Sequence, residues 1–171
     1  MRPAARINLI ATVVAIALAV ASGLDLPDRI PVHFDLNGVP DGWTAKWRFV
    51  ASLVGMLVLM QAWLRWVVPV LMRRTPARFL SLPNRQFWTA TPERRAEAAR
   101  RIVDVMDWTG GFIAVTTLFV LNMVRQAAET PPYVYIAPRN QVWVLIAVIG
   151  AFTVILMTAA VREFEVPRGQ R

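Results

Sequence analysis

From Ile7 to Leu24 the chain reads INLIATVVAIALAVASGL without a single charge. A run of about 18 or more apolar residues is long enough to cross the hydrocarbon core of a bilayer as a helix. Three more such runs follow: Trp47 to Met72, whose strongly polar residues are Arg48, Gln61 and Arg65, then Trp108 to Val124, then Val142 to Val161. With 56% hydrophobic and 18% charged residues, the composition is not that of a soluble domain. The chain therefore reads as an all-α membrane protein, a four-helix transmembrane bundle forming one integral membrane domain over residues 1–171. Its spans are expected at about 7–24, 47–66, 107–125 and 142–161, with a loop over 25–46 and a basic segment over 67–106.

The formal charge of +8 is distributed in blocks. Arg2 and Arg6, the nine arginines between Arg65 and Asp107, and Arg162, Arg168 and Arg171 fall in alternate connecting segments. The intervening segments hold only Arg29, Lys46 and Arg48, then Arg125 and Arg139, a split of 14 against 5. The positive-inside rule then places both termini and the basic segment in the cytoplasm, and the loop over 25–46 outside. A basic excess confined to membrane-flanking segments is a topology signal, and no nucleic-acid partner is expected from it. The opening MRPAAR, apolar run and AVASG also resemble a secretory signal peptide, so a retained first helix and a cleaved one both stay open. The absence of cysteine excludes disulfides and thiolate chemistry.

Within the spans, Ala11, Ala15, Ala19 and Gly23 recur at intervals of four and stack small residues on one helix face, which lets another helix approach closely. Gly110, Gly111 and Ala114, and Ala147 with Ala151, are the expected partners within the bundle; docking of another protein on the same face is the alternative. Gln61 and Asn122 are expected to bond across helices. Arg65 lies about 27 Å along the helix from Trp47, at an interface where it can snorkel beside Trp66. No carboxylate or histidine is read at mid-membrane depth, where proton relays and ion-coupled transporters need them, and no paired histidines could hold a haem. Trp47, Trp66, Trp108 and Trp143, with Tyr133 and Tyr135, fall at the span ends as an aromatic belt.

In the basic segment, Thr91-Pro92-Glu93 supplies a cap, a first-turn proline and an acid, the signals that start a helix. On that helix Ala96, Ala99, Ile102, Val103 and Met106 share a face, and Arg94, Arg95, Arg100 and Arg101 project from the rest. An amphipathic basic helix of this kind, ahead of the third span, suits the anionic headgroups of a lipid bilayer. Asn84, Trp88 and those four arginines are the candidate lipid or partner contacts.

The outer loop, LPDRIPVHFDLNGVPDGWTAK from Leu26 to Lys46, carries the lone histidine. Ile30, Val32, Phe34 and Leu36 alternate with Pro31, His33 and Asp35, a period-two pattern suited to a short strand. Asn37-Gly38 is a strong turn signal and Asp41-Gly42 repeats it, so a tight hairpin or paired turns is expected over the outer mouth of the bundle. Phe34, Leu36 and Trp43 should face the bundle, with His33 and Asp35 on the opposite side. Imidazole and carboxylates of His33, Asp35 and Asp41 suit zinc or manganese, but a structural zinc site generally takes four ligands, and no metal or cofactor is assigned. His33 has only the distant Ser22 and Thr44 as hydroxyl neighbours, which argues against nucleophilic catalysis and an enzyme.

The spacing LP-x-x-IP-x-HF-x-x-x-G-x-x-D-x-W-x-x-K, carried by Leu26, Pro27, Ile30, Pro31, His33, Phe34, Gly38, Asp41, Trp43 and Lys46, resembles the signature of bacterial domain-of-unknown-function family 1648. That family forms the amino-terminal part of SdpI-like toxin-immunity membrane proteins. The segments LPNRQFW and TPERR, from Leu82 to Arg95, resemble stretches seen in several members, and the likeness covers about the first hundred residues. It implies a multi-pass protein of the bacterial cytoplasmic (inner) membrane, in a branch that protects against a secreted peptide toxin and holds a repressor at the membrane. The chain is shorter than the full-length immunity proteins. The expected function is thus a non-enzymatic membrane protein whose outer loop recognises a peptide, envelope component or partner protein, with an immunity or signalling role. The candidates are His33, Phe34, Asp35, Asn37, Asp41, Trp43 and Lys46. An accessory subunit of a larger membrane complex is the alternative, and a small transporter or membrane enzyme the third reading.

Overall fold

A computed structural model describes residues 2–35, 39–129 and 139–166. In chain order it contains α1 (Pro3–Asp25), a hairpin of β1 (Arg29–Phe34) and β2 (Pro40–Ala45), and α2 (Lys46–Ala62). A single π-helical stretch (Trp63–Val67) then leads to α3 (Val68–Arg74) and a short α4 (Arg85–Thr89). The long α5 (Pro92–Glu129) and α6 (Arg139–Glu163) complete the fold. Four helical segments are long and apolar enough to cross a membrane: α1, α2 through α3, α5 and α6. The chain is a multi-span membrane protein.

Two sequence boundaries move. The second span does not stop near residue 66 but runs on to Arg74, through Pro69. Proline lacks the N–H for the helical ladder and its ring collides with the carbonyl four residues back, here that of Arg65. The chain avoids a break by widening one turn, with the Val68 amide donating to the Trp63 carbonyl five residues earlier. Likewise the basic helix and the third span are one unbroken helix, because nothing between Pro92 and Gly110 interrupts a sequence rich in Ala, Glu and Arg.

The packed core is made by three of the four spans. Ala15, Leu57 and Ala114 form one buried cluster, and Ala19, Leu53 and Leu121 a second. The small face of α1 is therefore spent on α2 and α5: Ala15, Ala19 and Gly23 are buried, and Ala11 packs against the first cluster. A Cβ added to Gly111 would sit 3.5 Å from the Asn8 Cα, which shows how closely α5 approaches α1. Between lipid-solvated helices no water is expelled, so this approach is favoured by dispersion and polar contacts. At Gly23 a Cβ would meet the Trp47 ring at 2.6 Å, so a larger residue would have to displace that ring where the end of α1 seats against the start of α2.

The expected four-helix bundle is thus a three-helix core with α6 at its side. No residue in the spanning stretch of α6 is buried, and Ala147 and Ala151 are exposed, not packed against α1. The α6 helix is held to α5 by the stacked rings of Phe112 and Phe152, 3.7 Å between centroids, and by the Gln141 amide donating to Gln126. Large branched side chains along most of α6 keep a backbone from approaching as closely as α1 does. Asn122, expected to bond across helices, is exposed on α5. Trp47, Trp66, Trp108 and Trp143 are exposed, as a lipid-interface belt requires, whereas Tyr133 and Tyr135 lie outside the described residues.

Candidate functional site

The hairpin stands at the end of the core where α1 finishes and α2 begins. β1 and β2 pair antiparallel, with Arg29 opposite Ala45, Ile30 opposite Thr44, Pro31 opposite Trp43 and His33 opposite Gly42. The register shifts on either side of His33, and a bulge there breaks the simple alternation. As a result Ile30 and Pro31 are the residues driven inward, both fully buried, while Trp43 is 41% exposed and Phe34 half-buried. That corrects the expectation that Phe34 and Trp43 face the bundle together; Leu36 lies outside the described residues.

The second turn signal is also corrected. Gly42 lies in β2, not in a turn, and a Cβ there would come 2.7 Å from the Cβ of His33. Glycine is required for strand approach at that pair. Gly42→Val is accordingly expected to open the hairpin, read as faster amide exchange over residues 29–35 with unchanged exchange in α1 and α5. The first turn is closed by Asp35, whose amide donates to the Val39 carbonyl at 2.9 Å and whose carboxylate accepts from the Val39 amide at 2.8 Å. Asn37 and Gly38 themselves lie outside the described residues.

Lys46 is explained by folding. Its ammonium donates to the Leu26 carbonyl at 3.1 Å and pairs with Asp28 at 3.3 Å, and its amide donates to the Asp28 carbonyl at 3.0 Å. It clasps the end of α1 to the start of α2 and ties both strands at their base. His33 and Asp41 differ: they are paired through Nδ1 and Oδ1, yet remain 73% and 48% exposed at the side chain. Val32, Val39 and Trp43 share this exposure. Among the described residues no three His, Cys, Asp or Glu side chains group as metal ligands.

At the opposite, arginine-rich end one candidate, Trp88, is buried, and the others are half-buried or exposed. Trp88 is 3% exposed, with Phe87 and Phe164 edge-on at 5.1 and 5.7 Å. Its indole N–H donates to the Phe164 carbonyl at 2.8 Å, and the Asn84 amide donates to the same oxygen at 3.0 Å. Asn84 takes a left-handed backbone, φ 51°, which asparagine tolerates, and so starts α4 at this angle. Arg101 lies over the Trp88 ring at 4.7 Å and donates to the Glu163 carbonyl. Asn84, Trp88 and Arg101 therefore cradle the end of α6, and of the three Trp88 is buried by it. Arg95 donates to the carbonyls of Met72, Arg73 and Thr75 and so caps α3. Arg94 lies over the Phe87 ring at 4.0 Å, and Arg100 projects outward beside Glu97. Ahead of the membrane-spanning stretch, hydrogen bonds from Arg100 and then Arg101 hold the Glu97 carboxyl below its usual range.

A third polar feature lies between the spans: Gln61 bonds across helices as its sequence position implies, but with Asn8, Thr12 and Gly110 as partners the sequence does not indicate. The Asn8 amide donates to Gln61 Oε1 at 3.1 Å, Gln61 Nε2 to Thr12 Oγ1 at 2.9 Å, and Thr12 Oγ1 to Asn8 Oδ1 at 3.2 Å. This closed ring polarises each of its bonds in turn. Gln61 also donates to the Gly110 carbonyl at 3.0 Å, and a Cβ on Gly110 would strike Gln61 and Asn8 at 2.6 and 2.7 Å. About one turn of α5 earlier, the buried Asp107 takes Arg65 Nη1 on both oxygens, at 3.2 and 3.0 Å. Arg2 lies 3.8 Å from the same carboxylate and 2.8 Å from Asp104. The signals were the i, i+4 pair Asn8 and Thr12 and an acid just ahead of Gly110-Gly111.

The chain has no match among curated proteins or among solved structures. The stretch from within α1, through the hairpin, to the later turns of α2 does match a family model, that of a domain of unknown function, DUF1648, over residues 10–58.

Proposed function

We propose that this chain is a non-enzymatic protein of the bacterial inner membrane, with both termini in the cytoplasm, whose outward hairpin recognises a secreted peptide or an envelope component. One observation carries the reading. The hairpin is anchored from below by Ile30, Pro31 and Lys46, while His33, Asp41, Val32, Val39 and Trp43 are exposed above. The fold makes no evident use of an aromatic ring and an ion-pairing couple on a rigid platform, and that combination of flat contact and directed hydrogen bonds suits peptide recognition. An immunity or signalling role follows from such recognition and from the likeness to SdpI-like proteins.

The test is complementation of a deletion strain. The double substitution His33→Ala with Asp41→Ala, and separately Trp43→Ala, are each expected to abolish complementation at unchanged protein level and thermal stability. Full complementation by both would end the recognition reading.

A second reading, an accessory subunit of a membrane complex, keeps one observation in its favour: α6 buries no residue of its spanning stretch. The docking face would then be α6, since the small face of α1 is already occupied. Purification in mild detergent separates the readings, a stoichiometric membrane partner supporting the subunit.

A further inference from the structure

Between α1 and α2, just outside the hydrogen-bonded ring, lies a cleft of ≈ 410 Å³ that opens sideways. That volume falls within the range of about 300–1,000 Å³ typical of small-molecule sites. Its wall is chiefly hydrocarbon, from Leu9 on one side and Val58, Ala62 and Trp66 on the other. Asn8, Thr12 and Gln61 also line the cleft, but they satisfy one another and the exposed lining stays chiefly apolar, so it asks for an apolar occupant.

One end of the cleft is different. Arg65 spends Nη1 on Asp107, its other guanidinium nitrogens have no acceptor among the described residues, and its side chain is 44% exposed. The wide π-helical turn fixes the backbone that carries it. Asp107 does not repel an incoming anion as a bare carboxylate would, because Arg65 and Arg2 both face it. Residues 2–6 and 65–107, which surround this end, carry eleven arginines against four carboxylates. That field draws acidic headgroups to the membrane surface.

We propose that the cleft is a binding site for one acyl chain of an anionic phospholipid, with the lipid phosphate hydrogen-bonded to the free donors of Arg65. The bilayer delivers the chain sideways between two spans, and the guanidinium selects the headgroup.

The experiment uses the full chain purified in an uncharged detergent and titrated with phosphatidylglycerol, with phosphatidylcholine of the same chains, and with glycerol phosphate alone. Thermal midpoint and native mass spectrometry are read together. Phosphatidylglycerol is expected to raise the midpoint saturably with one lipid retained. Phosphatidylcholine carries the same phosphate but adds a fixed cation that faces the same arginines, and should bind several-fold more weakly, and glycerol phosphate should do nothing. Ala62→Phe and Leu9→Trp fill the cleft from opposite walls, and each should abolish the shift. Arg65→Lys keeps a cation on Asp107 but leaves fewer donors for a phosphate than the guanidinium does, and should weaken phosphatidylglycerol binding toward the level of phosphatidylcholine. An undiminished response in a folded filled variant, equal binding of the two lipids, or saturation by glycerol phosphate would each overturn the proposal.

Discussion

Arg65→Leu is expected to destabilise the helical core by about 3 kcal/mol, measured by denaturant unfolding of the purified protein in detergent. The loss comes from Asp107, whose side chain is only 4% exposed and would be left without the guanidinium that now bonds both of its oxygens. The figure sits at the lower end of the range for breaking a buried pair because Arg65 is itself partly solvated and Arg2 remains 3.8 Å away. The double variant Arg65→Leu with Asp107→Leu should recover most of the loss, since two apolar groups of similar size replace the pair without an uncompensated charge. If the single variant proves neutral, the pair is ornamental and Asp107 is held by other groups.

Trp88→Ala is expected to cost about 3–5 kcal/mol, the usual range for truncating a buried aromatic residue. Its consequence is local as well as global. Trp88 joins Phe87, Phe164 and Arg101, and its N–H shares the Phe164 carbonyl with Asn84, so truncation frees the end of α6. Trypsin should then cut after Arg162 far faster than in the parent chain. Trp88→Phe keeps a ring but removes the donor, and should cost only about 1 kcal/mol because Asn84 still satisfies the carbonyl. Equal cutting of Trp88→Ala and the parent would show that α6 is retained by its stacking on α5 alone.

The spans were legible because length and apolarity alone carry a helix across a bilayer, and the hairpin because Asn37-Gly38 and the alternation of Ile30 to Leu36 have few other uses. The packing of α1 was legible too, as small residues at intervals of four have a direct geometric meaning. What escaped were effects that depend on partners distant in sequence. Asn8 and Thr12 are unremarkable in an apolar run until Gln61 and Gly110 arrive beside them. Asp107 reads as a span boundary until Arg65 turns toward it. Trp88 and Asn84 sit in a segment whose arginines suggest a lipid surface, and only the returning end of α6 buries Trp88 and gives both a shared acceptor in the Phe164 carbonyl. Pro69 could have signalled the wide turn, but a proline near a span end also reads as its terminus. On the hairpin, a bulge at His33 redirected the inward residues to Ile30 and Pro31, and no residue pattern announces a bulge.

The unbroken α5 has a mechanical consequence. Its 38 residues make a rod about 57 Å long at the usual helical rise. The hairpin strand β1 rests on this rod, and the cradle of Trp88 and Phe164 grips its opposite stretch. Gly110 and Gly111, where such a rod would most easily bend, are pinned by Asn8 and Gln61. A load applied at the hairpin therefore arrives at the arginine-rich end as leverage: a tilt of about 5° about one end carries the other by about 5 Å. With its weak point braced, α5 would carry such a tilt from one end to the other without bending at its glycines.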